Sequence, residues 1–117
     1  MDSKMYTEVR PWGQFTNIYD QDYSKVKTIQ VNPGQRLSLQ SHKKRAEIWV
    51  VVRGFASVQL DEEIIRLEVG ESIQIPIGAK HRLQNGGSEL LEIIEVQTGS
   101  YFGEDDIIRY EDDYKRV

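Results

Sequence analysis

The sequence predicts an all-β chain, folded as an antiparallel sandwich or barrel in one domain. Three observations lead there. Turn signals recur about every 8–12 residues, among them Asn32-Pro33-Gly34, Pro76-Ile77-Gly78 and Asn85-Gly86-Gly87, a rhythm of short antiparallel strands rather than of strand–helix–strand units. The segments between them are rich in β-branched and aromatic residues, as in Ile48-Trp49-Val50-Val51-Val52, which suits a pleated surface. No segment ahead of the tail repeats its apolar residues at helical spacing. A length of 117 residues is that of one domain, expected to span the whole chain with its core over about residues 10–110, and it can bury a modest core without staples.

Taken in order, residues 1–9 read as a polar leader that pairs with another chain or stays loose, without the apolar run of a signal peptide. Arg10-Pro11-Trp12-Gly13 is a turn, because proline fixes the backbone and glycine frees it, and Trp12 is large enough to plug an end of the barrel. Residues 14–19 and 24–31 are strands around a polar turn; in the second, Val26, Thr28 and Gln30 share one side and Lys25, Lys27, Ile29 and Val31 the other. In the next strand, 35–42, Ser38, Gln40 and His42 share one face and Leu37 and Leu39 the opposite one. A short connection, 43–46, leads to a strand that folds back antiparallel, with Glu47, Trp49 and Val51 facing inward and Ile48, Val50 and Val52 outward.

Gly54 marks a tight turn or bulge, and 55–60 and 64–69 are strands around the charged tip Asp61-Glu62-Glu63. After Gly70-Glu71 come a short strand at 72–75, a strand at 80–84 carrying His81, a hairpin loop at Asn85-Gly86-Gly87 and an apolar strand at 90–97. The tail, 99–117, is acidic and aromatic and predicts a short strand or helical turn around Ile107-Ile108, closing the barrel or crossing to a partner. With Leu37, Leu39, Ile48, Val50 and Val52 outward, the sheet is apolar on both faces and needs cover on both. A second copy in a symmetric homodimer, or a sheet of the N-terminal strands, is expected to provide it.

The net charge of −4 argues against a nucleic-acid partner. There is no cysteine, hence no disulfide framework or thiolate chemistry. No apolar run reaches membrane length, so no membrane partner and a cytoplasmic location are expected.

Two glycine-framed stretches carry the chemistry. Residues 34–54 place Gln40 and His42 two apart, which puts both on one face of a strand, with Glu47 five further on. Residues 70–85 supply His81, the only other histidine in the chain. Gln40, His42, Glu47 and His81 together form a nitrogen and oxygen donor set without thiolate, suited to a divalent Zn, Fe, Mn or Ni, with a position left open for water or a substrate oxygen. Cations gather around these stretches, at Arg36, Lys43, Lys44, Arg45, Arg53, Lys80 and Arg82. Most are ordinary solvated charges, but cations beside a metal suit an anionic substrate. Arg45 has the strongest case for meeting one, with Lys43 beside it; Arg82 and Lys80, flanking His81, alternate away from the metal.

The pattern is recognisable. Gly34, Gln40, His42, Glu47 and Gly54 resemble the first cupin motif, with Gln40 where many cupins have a histidine, and Gly70, Pro76, Gly78, His81 and Asn85 resemble the second. Within cupins, the RPWG segment at 10–13, LSLQSH at 37–42, RAEIWVVVRG at 45–54 and the tail at 96–114 look like the type II mannose-6-phosphate isomerase domain, which often follows a mannose-1-phosphate guanylyltransferase. The resemblance runs from about Tyr6 to Lys115 and departs at Lys43 and Lys44, which replace a histidine run, and at Ile48, which replaces the histidine of a His-Trp pair. It implies a single-domain cupin, a double-stranded antiparallel β-helix or jelly roll, with zinc first among the metals. It implies interconversion of the sugar phosphates mannose 6-phosphate and fructose 6-phosphate through an enediol. The general base is not identified; Glu92 and Glu95 lie on opposite faces of one strand, so one of them faces the barrel. Two alternatives stay open, a non-catalytic cupin that binds a sugar or nucleotide sugar, and another metal-dependent cupin enzyme such as an Fe(II) dioxygenase or a different sugar isomerase.

Overall fold

The structure, a computed structural model, describes residues 5–115; the first four residues of the expected leader and the last two of the tail lie outside the described residues. The strands are β1 (Tyr6–Arg10), β2 (Gly13–Asp20), β3 (Ser24–Val31), β4 (Leu39–His42), β5 (Arg45–Arg53), β6 (Ala56–Leu60), β7 (Glu63–Leu67), β8 (Ser72–Ile75), β9 (His81–Gln84), β10 (Leu91–Gly99) and β11 (Ile107–Glu111), with one 3-10 turn at Glu104–Asp106. They form a six-stranded sheet in the order β1-β2-β3-β10-β5-β8 and a five-stranded sheet in the order β11-β4-β9-β6-β7, and every pairing is antiparallel. After β3 the chain changes sheet at each connection except the β6–β7 hairpin. This repeated crossing winds the strands into the expected double-stranded β-helix.

Several connections differ from the sequence reading. β4 and β5 do not pair; they lie in opposite sheets, so His42 and Glu47 meet across the barrel rather than along a hairpin. Asn85-Gly86-Gly87 is likewise a crossing, from β9 in one sheet to β10 in the other. Asn85 holds that crossing by donating to the carbonyls of Val31 and Glu89, both at 2.8 Å, and by accepting from the Gly87 amide at 2.9 Å. Regular pairing in the strand expected at 35–42 begins only at Leu39. The expectation that Leu37 and Leu39 face outward is corrected for Leu37, which packs on the core and borders the central cavity; Leu39 alternates with Gln40 in β4 and is buried outside the core cluster. Irregular backbone before β4 releases Leu37 from strict alternation. β1, expected as a loose leader at its start, pairs with β2 and extends the edge of the six-stranded sheet instead of covering its outer face. The tail turns back on its own chain, where β11 pairs with β4 and Asp106 accepts from the amides of Lys43 and Lys44.

The core lies between the sheets. Trp12, the expected plug, is buried with Phe15, Ile29, Val31, Trp49, Val51, Ala56, Val58, Leu67, Ile75, Leu83, Leu91 and Ile93. The inward rows change character along their length. β3 runs from Val31 and Ile29 to Lys27, β10 from Leu91 and Ile93 to Glu95 and Gln97, β5 from Val51 to Glu47 and Arg45, and β9 from Leu83 to His81, all buried. The register sets Lys27, Glu95 and Trp49 side by side across three strands, with Gln97 beside Glu47 in the next row. One end of the barrel is therefore an apolar core and the other a buried polar chamber. The buried side-chain polar atoms without a hydrogen-bond partner among the described residues are Asn17 Oδ1, His42 Nδ1, Gln97 Oε1 and Arg109 Nε. No helix of the described residues is long and apolar enough to cross a membrane.

Candidate metal centre

His42 ends β4, Glu47 follows the start of β5 and His81 opens β9, so two connections between sheets, β4–β5 and β8–β9, deliver the three side chains to the chamber. All three are buried at 3% exposure, and one ligand atom from each lies within 4.8 Å of the others. His42 Nε2 is 3.1 Å from Glu47 Oε2, and His81 Nε2 is 3.8 Å from Glu47 Oε1. Two atoms that both sit about 2.1 Å from a common ion can be at most about 4.2 Å apart, so both pairs fit one ion. The tautomer of His81 also fits: Nδ1 donates to the Ala79 carbonyl at 3.0 Å, leaving Nε2 bare toward Glu47. Burial, with the nearby Arg45 charge, pushes His42 down to about 3, and burial lowers His81 from 6.5 as well. Both rings are therefore neutral at physiological pH, the form that ligates. The His-His-Glu group has the chemistry and spacing to hold a divalent ion.

Gln40 stands in register beside His81 and borders the same cavity. Its amide nitrogen donates to Ser38 Oγ at 2.9 Å, so its oxygen is the atom it can offer. Arg45 is buried against His42 and Glu47. Its Nε donates to Glu47 Oε2 at 3.0 Å, one terminal nitrogen lies 3.1 Å from His42 Nε2, and the other donates to the Phe102 carbonyl. The guanidinium thus meets the atoms an ion would take. Lys43 is not brought to the cavity: its side chain is exposed, at the bend between β4 and β5.

Of the two acids weighed on the last long strand, Glu95 faces inward and is buried, whereas Glu92 faces out and accepts from Gln30. Trp49 Nε1 donates to Glu47 and to Glu95, each at 3.0 Å, and Gln97 donates to Glu95. Burial, with the Glu95 charge beside it, raises Glu47 well above 4.5. Burial acts the same way on Glu95, but Lys27 and the surrounding donors outweigh it and hold Glu95 below 4.5. The two carboxyl groups thus have opposite preferences within one chamber. Lys27 and Arg109 also border the cavity and were not singled out from sequence. Lys27 left a signal there, a lysine on the same face as Ile29 and Val31; Arg109 left none, because only the β4–β11 register places it.

Comparison with known proteins settles the family. The family model described as mannose-6-phosphate isomerase C-terminal matches residues 1–112. The chain belongs to this family. The mannose-6-phosphate isomerase C-terminal domain here is 52% identical over 108 residues to the xanthan biosynthesis protein XanB of Xanthomonas campestris, covering 92% of this chain and 23% of that protein. It is 49% identical over 117 residues to a mannose-1-phosphate guanylyltransferase of Escherichia coli, covering 99% of this chain and 24% of that protein. The chain thus spans about a quarter of the length of these relatives. A Klebsiella pneumoniae protein with a double-stranded β-helix domain superposes with a TM-score of 0.73 at 21% identity, over 82% of each chain, and shows the same fold.

Proposed function

We propose that this domain is a metal-dependent mannose-6-phosphate isomerase that interconverts mannose 6-phosphate and fructose 6-phosphate. The observation that supports it most is the convergence of His42, Glu47 and His81 in a chamber that buries a second carboxylate, Glu95. A divalent ion, zinc first, when held by these three residues and Gln40, would polarise a sugar carbonyl and stabilise developing negative charge on it. Glu95 is positioned to move the proton between the two carbons, because it is buried, borders the cavity and is held anionic by Lys27. Trp49 fixes both carboxylates from one indole N–H. The apolar wall of Trp12, Phe15, Ile29 and Leu83 excludes water from the reacting end. Arg45, buried beside Glu47 and bordering the cavity, would meet the sugar.

The test is turnover of mannose 6-phosphate by the purified chain, stripped of metal and then reloaded with zinc, manganese, iron or nickel in turn. Activity restored by a divalent ion supports the proposal. Loaded protein without turnover rejects it, and saturable sugar binding in that protein would favour a binding role.

A further inference from the structure

The chamber has a second polar feature apart from the metal ligands. Across the five-stranded sheet, His81, Gln40 and Arg109 stand in one register row on β9, β4 and β11. All three border the same cavity. Neighbouring strands are about 4.8 Å apart, so Arg109 sits roughly two strand spacings, about 10 Å, from the histidine ligand. The Nε of Arg109 is buried without an acceptor, and a charged donor left so is expensive. The other cations on the cavity have partners. Arg45 is bonded to Glu47, Arg82 to the Leu37 carbonyl and Glu111, and Arg10 to Glu8, while Lys27 lies 4.2 Å over the Phe15 ring in register with Glu95. The acids on the cavity are Glu47 and Glu95, both engaged inside, and the exposed Glu104.

We infer that Arg109 forms a phosphate-monoester subsite at the β11 end of the cavity, and sets specificity for a phosphorylated rather than a neutral polyol. A planar guanidinium with a free donor matches two phosphate oxygens at once. The distance to His81 suits a ligand whose far end lies at the metal while its phosphate lies at Arg109, with Lys27 and Arg10 adding positive potential along the wall. This rests on the isomerase reading for the identity of the sugar but not for the anion site itself.

The experiment titrates inorganic phosphate into the full chain by NMR and calorimetry, for wild type, Arg109→Gln and Arg109→Lys, with melting curves to establish that each folds. Arg109→Gln is expected to weaken phosphate binding by about 10- to 100-fold. Arg109→Lys, which keeps the charge and loses the fork, should weaken it several-fold and serves if the glutamine variant does not fold. In turnover assays the glutamine variant should raise KM for mannose 6-phosphate by the same factor with kcat little changed. Wild-type phosphate affinity in both variants, or a fall in kcat at constant KM, would overturn the inference. Phosphate binding lost in the variants of a protein that never turns over mannose 6-phosphate would uphold the subsite while rejecting the isomerase.

Discussion

Trp49 shows how much one side chain decides here. Its indole N–H serves two buried carboxylates, so Trp49→Phe keeps most of the apolar contact and removes both bonds. That variant is expected to lose about 1.5–3 kcal/mol, as hydrogen bonds to charged groups are worth, in chemical denaturation. At the ligands, Glu47→Gln should abolish divalent-ion binding in calorimetry while the chain stays folded, because the variant removes the charge and one good donor oxygen. The histidines make the metal-free protein acid-sensitive. His42 has a folded pKa of about 3 against 6.5 in the unfolded chain, so the unfolded state takes up a proton first as pH falls below about 6.5, and stability is lost in that direction. Glu47, raised in the fold, acts with the opposite sign as pH rises above about 4.5, where the unfolded carboxylate ionises first. The comparison that isolates the histidine is therefore the pH slope of wild type against His42→Gln in the presence of chelator. A shallower loss toward pH 5 in the variant is expected, and equal slopes would refute the assignment.

At the level of elements, the connections that change sheet do the positioning. The crossing after β9 hangs on the Asn85 side chain, whose three bonds tie it to Val31, Glu89 and Gly87. Asn85→Ala strands the buried Val31 carbonyl and the part-buried Glu89 carbonyl and Gly87 amide, and should lower the unfolding free energy by about 2–3 kcal/mol, read from the denaturant midpoint. Gly54, at the crossing after β5, has φ +78°, and an added Cβ would lie 2.8 Å from the Leu90 carbonyl oxygen. The sequence marked both positions, as a turn signal and as a glycine, because local backbone demands are written in residue type. It missed that the connections at 43–46 and after Asn85 are crossings rather than hairpins. Residues that turn a chain look alike whether the next strand pairs beside the last or in the opposite sheet, and only the packing of the two sheets tells them apart.

For the molecule as a whole, the proposed ion would act as a clasp. Its ligands come from both sheets, His42 and His81 from one and Glu47 from the other. An ion that binds only the folded chain stabilises it by about 2.7 kcal/mol at a hundred times its Kd. At about 2.1 cal/mol/K of unfolding entropy per residue, that raises the melting temperature of a domain of this size by roughly 11 °C. Added zinc should produce such a rise, chelator should reverse it, and His81→Ala should abolish it. A rise that persists in His81→Ala would place the ion elsewhere. The same division of the interior explains why the barrel tolerates its polar chamber, since the apolar rows of Val31, Val51, Leu91 and Ile93 form a core at the other end.

Alone, the order of residues specified the β class and nearly every strand, and it nominated Gln40, His42, Glu47 and His81 as donors, of which the last three converge, since alternation, turn residues and donor chemistry are local properties. It also indicated that one of Glu92 and Glu95 faces inward. Which one does so, that Arg45 lies on the ligands while Lys43 stays outside, that Leu39 is buried, and that Arg109 borders the chamber were decided by register and by the facing of two sheets. Those depend on contacts between residues far apart in the chain, such as Gln40 with Arg109, and no short stretch of sequence contains both partners.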